Sequence, residues 1–599
     1  MWIRYDVLKI IALLLITAGL LGCPPGGSSG NNGGNQNTTD TTPPIISSTV
    51  PVNNATDVAV NTRIVAIFNE PPDTSTISTS TFLVSDGSGT IAGSVLCSFK
   101  TATFTPSANL ATGATYTVTI TTAVRDLVGN PLAFDRVWHF TTGNLKAWSQ
   151  QELLDTSAGY AGGPAVAADR LNNGSGDGTV IVAWGQDRSI YASRYAGSWS
   201  APFLIGNDIS AAALGSEAYG PRIAMGSWGD AFVLYGYRDT NYGPANQYSV
   251  WSTRYAGGWS TPQQISSVGG NNANGPQPAF DDDDATGNAI FAVWYQYQFG
   301  SSQSNYRITQ RQYHGARCTA PFACGIGDPS LIGWQGRSLL DPHDIGDASE
   351  PQIAAWGIRN AVAVWTQNVT GLGNRTYANI ATNGTWTTGR VIDPQGGVYA
   401  TAGPVVAADP SGNAIAVWME WAPGRTTLMA SRYSTGNWSA PTQIDDVSGG
   451  NAGDWDPPRQ QVVMDGSGNA IIVWQQVNAN RSEYNIYARR CPAGPLSGCG
   501  SLVSLETSTG YADFPQVAVA PNGDAIAVWK QEDGSARRIY ANHYTAATNS
   551  WNANPTRVGG ANGTWSEGPQ IAIDGSGRAT VVWTEFENSE YNIYAVRYE

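Results

Sequence analysis

The sequence predicts an all-β chain: an Ig-sized β-sandwich followed by a C-terminal eight-bladed β-propeller closed by a strand from the N-terminal side of its repeats. Three observations carry this expectation. The 599 residues include 69 Gly, 22 Trp and 26 Tyr but only 13% charged side chains, a composition that favours strands and turns over helix interiors. Residues 43–143 alternate apolar and polar side chains in short runs separated by turn clusters. From residue 145 onward, one four-strand pattern returns eight times.

Residues 1–22 carry Arg4 and Lys9, then the apolar run IIALLLITAGLL, then Gly22 before Cys23. The run is short for a membrane-spanning helix and is terminal, as a secretory signal is. Leu20-Leu21-Gly22-Cys23 resembles the lipobox of bacterial lipoproteins. The resemblance implies cleavage before Cys23 and acylation of that cysteine, so the membrane is met by a lipid anchor only. Pro24 stands where that family often carries an Asp that retains it at the inner membrane, which makes the outer membrane or cell surface the expected location. Residues 23–42 are rich in Gly, Ser, Asn and Thr, with nothing apolar to bury, and read as a flexible linker.

The alternating runs of 43–143 include RIVAIF (Arg63–Phe68), TYTVTIT (Thr115–Thr121) and RVWHFTT (Arg136–Thr142), enough strands for a sandwich of about a hundred residues. The motifs TFTPSANLATGATYTVTIT, VRDLVGNPL and WHFTTG resemble the SbsA-type bacterial Ig-like domain of surface proteins. That resemblance implies a spacer or adhesive stalk module with no catalytic residue. Cys97 reads as a buried thiol.

In its clearest copy the repeat is GPVVAADPSGNAIAVWME (Gly403–Glu420), LMASRY (Leu428–Tyr433) and WSAPTQI (Trp438–Ile444). Its landmark aromatic falls at Trp184, Tyr235, Trp294, Trp365, Trp418, Trp474, Trp529 and Trp583. The last copy ends with its third strand, NIYAVRYE (Asn592–Glu599), whereas KAWSQQELL (Lys146–Leu154) is a fourth strand with no copy before it. The orphan is expected to complete the last blade, because closure removes exposed strand edges and an open solenoid wants caps instead. Seven blades with one degenerate copy is the competing count, since Tyr235 replaces Trp.

Small Ala alternating with Ile and Val before each landmark makes both faces of the second strand apolar. The landmark aromatics are therefore expected to wedge between blades. The turns DPSGN (Asp409–Asn413), DGSGN (Asp465–Asn469) and DGSGR (Asp574–Arg578) read as structural, with Gly supplying positive φ and Asp accepting from turn amides. They lack the alternating acids of a calcium loop. Asp281–Asp284 is the one acidic run where a cation would fit, though a solvated turn is favoured. Cys318/Cys324 and Cys491/Cys499 flank insertions between third and fourth strands and suit two short-range disulfides in an exported chain. The four histidines show no ligand spacing with the cysteines, so no metal is expected.

Strand direction gathers the loops leading into each first strand on the face opposite the Asp-Gly turns. They contribute Tyr160, Tyr219, Tyr399, Trp455, Tyr511 and Trp565 as candidate ligand-binding aromatics. Two residues after the landmark, seven copies carry Gln or Glu: Gln186, Gln296, Gln367, Glu420, Gln476, Gln531 and Glu585. These side chains are expected to bond neighbouring backbone; the alternative is a polar ring that binds ligand, with Glu420 and Glu585 as its acids.

A formal charge of −14 excludes nucleic acid as a partner. No GxSxG elbow, phosphate loop or histidine–nucleophile pair occurs. VAADPSGNAIAVW (Val406–Trp418) is similar to the AxDxxTGxxxW repeat of quinoprotein dehydrogenases, but its Gly comes one residue early and its Trp one late, so no cofactor is expected. The sequence thus points to a monomeric, envelope-anchored surface lipoprotein that binds, adheres or scaffolds without catalysis, holding an envelope or extracellular protein or glycan on its aromatic loop face. The alternative is an exported carbohydrate-active enzyme, a glycoside hydrolase or lyase, using carboxylates at the channel mouth.

Overall fold

A computed structural model describes residues 41–599 apart from internal stretches, the longest being 170–178, 207–216, 281–288, 315–332 and 446–459. The chain forms two compact units, Met1–Leu145 and Lys146–Glu599.

In the first unit, strands Ile46–Val50, Ile64–Phe68, Thr101–Pro106 and Gly93–Ser98 make one sheet in that order, and Ala55–Val58, Arg136–Thr142, Thr115–Ile120 and Phe82–Ser85 make another. Their alternating residues bury Ile64, Phe68, Phe104, Tyr116 and Trp138 in a single core. Cys97 is half-buried, not fully buried as expected. Its strand, Gly93–Ser98, is the edge of its sheet, which leaves one flank open.

The second unit is eight four-stranded blades. Each runs from an inner first strand through the landmark strand to a short outer fourth strand; blade 5, for example, is Ala400–Ala408, Ala414–Ala422, Arg425–Ser434 and Thr442–Gln443. First strands touch around the ring from Ala161–Ala168 through each blade to Trp565–Ile573, which touches Ala161–Ala168 again. The ring closes although every sheet is open. The orphan segment does what the sequence predicts: Glu152–Leu153 pairs antiparallel with the last strand, Glu590–Tyr598, in register Tyr594↔Leu153. Leu154 N donates to Ile593 O at 2.8 Å, and Asp155 Oδ1 accepts from Ile593 N at 2.8 Å.

One apolar cluster fills each of the eight boundaries between blades, and each contains the landmark aromatic of the later blade. Trp184, Trp294, Trp365, Trp418, Trp529 and Trp583 have no exposed surface, and Tyr235 fills the same place between blades 1 and 2. The count is eight, and the copy with Tyr is a full blade. Truncating such a ring to Ala would cost about 3–5 kcal/mol.

The side chain two residues on lies on the same strand face as the landmark and takes its indole proton. Trp184, Trp294, Trp365, Trp474 and Trp529 donate Nε1–H to Oε1 of Gln186, Gln296, Gln367, Gln476 and Gln531 at 2.8–3.1 Å. Trp583 donates to Glu585 at 2.8 Å. These polar groups thus hold the wedge through one oxygen, and Gln367 Nε2 also donates to the backbone oxygen of Gly346. In the Asp-Gly turns, Asp409, Asp465 and Asp574 each accept two turn amides through Oδ1 at 2.9 Å. Cys491 and Cys499 form a disulfide; Cys318 and Cys324, like Cys23, lie outside the described residues.

Leu154→Pro removes the donor to Ile593 O and the buried Leu154 side chain together. It is expected to lower stability by about 3 kcal/mol or more, read as a reduced midpoint in thermal unfolding of the full chain.

Candidate functional site

On the face where chain leads into the first strands, two tyrosine pairs bridge neighbouring blades. Tyr160, before the first strand of blade 1, meets Tyr591, at the start of the third strand of blade 8, with centroids 5.8 Å apart. Tyr511, before blade 7, meets Tyr484 of blade 6 at the same 5.8 Å and the same 43° tilt. Both loops depend on a glycine before the tyrosine. Gly159 has φ +146° and lies against the Asp187 carboxylate, while at Gly510 (φ +140°) a Cβ would fall 2.5 Å from Glu532 O. A side chain would push the loop, and with it the ring, off its partner.

Around Tyr591 the pairs extend into a platform. Phe586 lies 4.8 Å from Tyr591 and is the cross-strand partner of Trp565. Arg537 of blade 7 sits 5.0 Å over the Trp565 ring and donates to Glu567 at 2.5 Å. Trp565 is 50% exposed and Tyr160 67% exposed. The result is a solvent-facing run of aromatic surface flanked by a fixed cation and anion. Beside the second pair, Lys530 lies 4.8 Å over Phe514 and pairs with Asp513 at 3.1 Å.

Of the aromatics expected here, Tyr160, Tyr511 and Trp565 are exposed on this face. Tyr219 is not a platform: its ring packs onto Gly236 of the neighbouring strand and edge-on to Tyr248 at 6.2 Å. Tyr399, Trp455 and Asp281–Asp284 lie outside the described residues. Phe586, Tyr591, Tyr484 and Arg537 were missed by sequence reasoning. A signal for the tyrosines existed, since blades 6 and 8 share the heptapeptide SEYNIYA, at 482–488 and 589–595.

The two candidate acids do not form a pair. Glu420 is in blade 5 and Glu585 in blade 8, with two blades between them. Glu585 is fully buried under Trp583. Glu420 is half-buried; burial raises its pKa, the nearby Asp393 adds to that, and Arg375 opposes it. Asp393 itself is held by Arg375 in a buried bidentate pair, with contacts at 2.7 and 2.9 Å, and accepts from Thr376 N. Asp393, Asp445 and Asp155 all follow the fourth strand and accept an amide at the start of the third. In blade 6 the same position holds Glu506, whose carboxyl burial pushes up to about 8 against the relief of the Ile486 amide, with Glu483 adding to the rise. Among the described residues no three His, Cys, Asp or Glu side chains gather as a metal site would require, and no helix is long and apolar enough to cross a membrane.

Residues 40–142 match the bacterial Ig-like domain family. The repeat region is similar to solved propellers at low identity. Among them are the β-propeller domain of the Trilobed protease from Pyrococcus furiosus (9% identity, 64% of this chain and 93% of that one, TM-score 0.36) and polysaccharide lyase Uly1 (11%, 72% and 89%, TM-score 0.35). An α-L-arabinofuranosidase from Fusarium graminearum is a third (10%, 76% and 98%, TM-score 0.31). No curated protein sequence matches the chain. Likeness of this degree carries no conclusion about activity.

Two outcomes follow from the buried acids. Glu420→Gln removes a carboxylate beside Asp393 and supplies the amide that five other blades use to hold their tryptophan, so the variant is expected to unfold at a higher temperature than the parent at neutral pH. Glu506 has a folded-state pKa above its unfolded one, so the stability linked to its proton is complete below about pH 4.5 and is lost as pH rises through about 8. Thermal unfolding from pH 5 to 9 is expected to show this decline in the parent and a weaker one in Glu506→Gln.

Proposed function

We propose that the propeller is a non-catalytic glycan-binding module on a surface lipoprotein. The observation that carries this reading is the exposed Trp565–Phe586–Tyr591–Tyr160 platform flanked by Arg537 and Glu567. Aromatic faces suit the apolar faces of sugar rings, and fixed charged groups at their edges suit hydroxyls. The placement of Glu420 and Glu585 two blades apart favours binding over hydrolysis, because glycoside hydrolysis needs two carboxyl groups about 5–9.5 Å apart across one scissile bond. In this reading the chain is exported, acylated at Cys23 and carried at the outer membrane or cell surface as a monomer, with the Ig-like domain as spacer. The Ig-like match and the Cys491–Cys499 disulfide support an extracellular setting.

A glycan array probed with the purified full chain, followed by calorimetry, tests the proposal. Binding is expected without release of reducing ends. Trp565→Ala and Tyr591→Ala are each expected to weaken it by about tenfold, the loss of one aromatic contact of about 1–1.5 kcal/mol. Turnover that disappears in Glu420→Gln would replace binding by catalysis.

A further inference from the structure

Each first strand is the inner edge of its blade, and the ring of eight encloses a central cavity of about 350 Å³. Its wall is three consecutive residues from seven of the strands, from Val166–Ala168 round to Ile571–Ile573, and Ala279 and Phe280 from the eighth, mostly Ala and Val with polar strand edges between them. The residue one position before these wall residues, or two before them in blade 3, falls at one level of the ring. It is fixed by register, since in every blade it pairs with the residue preceding the landmark aromatic, as in Arg222↔Leu234, Gln277↔Val293 and Gln570↔Val582.

That level carries polar side chains where the cavity wall below it carries apolar ones. Blades 1 and 5 place Ala165 and Val405 there; the other six place Arg222, Gln277, Gln352, Gln461, Gln516 and Gln570. All six are accessible. None of the five amides makes a side-chain hydrogen bond to another protein group among the described residues. Arg222 donates only to the carbonyl of Pro221, its own neighbour, at 3.1 Å. Arg222 is exposed, desolvation by the surrounding protein lowers its guanidinium pKa, and no carboxylate among the described residues pairs with it. A guanidinium with no counter-ion among the described residues is free to meet an anion, and its planar fork suits a carboxylate. In the chain direction this level lies between the aromatic platform and the cavity: Gln570 follows Trp565 by five residues on one strand, at most about 17 Å away.

We propose that the channel mouth is a subsite for an acidic sugar, the carboxylate of a uronic acid unit held by Arg222 and its hydroxyls by the glutamine ring, beginning with Gln277 in the following blade. The inference rests on the glycan-binding reading and gives it a selectivity. A glycan lying on Trp565 runs down the same strand into the channel, so one ligand spans platform and subsite. With a formal charge of −14 the chain repels polyanions at long range, so the site takes one carboxylate at a fixed position and is not a general basic groove.

The test is calorimetry on the full chain with tri-galacturonic acid and galactotriose as matched acidic and neutral probes, at physiological ionic strength. The acidic trisaccharide is expected to bind at least about tenfold more tightly, the worth of a charge-assisted hydrogen-bonded pair. Arg222→Gln is expected to erase that preference while leaving galactotriose affinity unchanged, and Arg222→Lys to keep part of it. Unaltered galactotriose binding certifies that the variants are folded. Equal binding of the two probes, or a preference that survives Arg222→Gln, overturns the subsite and leaves the platform standing. Loss of the preference to chloride or acetate at the concentration of the sugar acid would make this a simple anion site and overturn the sugar assignment. Failure of both probes to bind, with Trp565→Ala indistinguishable from the parent, would overturn both readings.

Discussion

The structure of the repeat region depends on burying both faces of the second strand in every blade. Such a strand has no solvent side, so a blade is unstable alone and finds its stability only between two neighbours. The landmark aromatic makes that dependence specific: each ring enters the preceding blade, and in six blades the Gln or Glu two residues later takes the indole N–H within the same strand face. An indole brought into an apolar seam without an acceptor would cost about 1–3 kcal/mol. Blade 5 departs from this, for Trp418 Nε1 finds no acceptor while Glu420 turns toward Arg375 and Asp393.

The same geometry divides the ring into regions with different freedom. The seams tolerate little change, and the Asp-Gly turns on one face are tied by their own carboxylates. Loops on the other face turn into the first strand at a bulge marked by a glycine and a proline in most blades. In most blades the residue before that proline is Gly with φ near +60°; in blades 4 and 7 it is Glu350 and Phe514, both at φ +54°. A non-glycine residue there costs on the order of 1 kcal/mol. Glu350 offsets the strain by accepting from Thr366 and from Gly403 of the next blade. Variation is thus concentrated where ligands meet the ring.

The architecture was legible in the sequence because it is repeated: one ambiguous strand means little, but eight copies with a displaced ninth fragment fix strand order, blade count and closure. Tyr235 shows the reason the count held, since a phenol fills an indole's seam. The site was only partly legible. Tyr160, Tyr511 and Trp565 are exposed where loop position alone places them, whereas Tyr219 packs on its neighbour, because whether a loop aromatic faces water depends on that neighbour, here Gly236, which leaves room for its ring. Tyr591 and Phe586 lie inside strands, where aromatics ordinarily pack, and only the strand ends bring them to the surface. The glutamine ring escaped notice because its members are far apart in sequence and each looks like any strand residue; register alone aligns them.

The closing contact has a kinetic side. Asp155 and Ile593 are bonded across 438 residues, whereas the other blades are completed within a single repeat. Loop-closure entropy grows with the logarithm of length, so this join costs about 2 kcal/mol more than closing a single blade of some 55 residues. The eighth blade therefore carries the longest-range strand pairing of the ring. Until the final strand arrives, Ala161–Ala168 and Trp184 present an apolar flank to solvent, and the segment before them waits without a partner. A chain that crosses a membrane unfolded would meet this interval on the far side, so its refolding is governed by how quickly its two distant ends find each other.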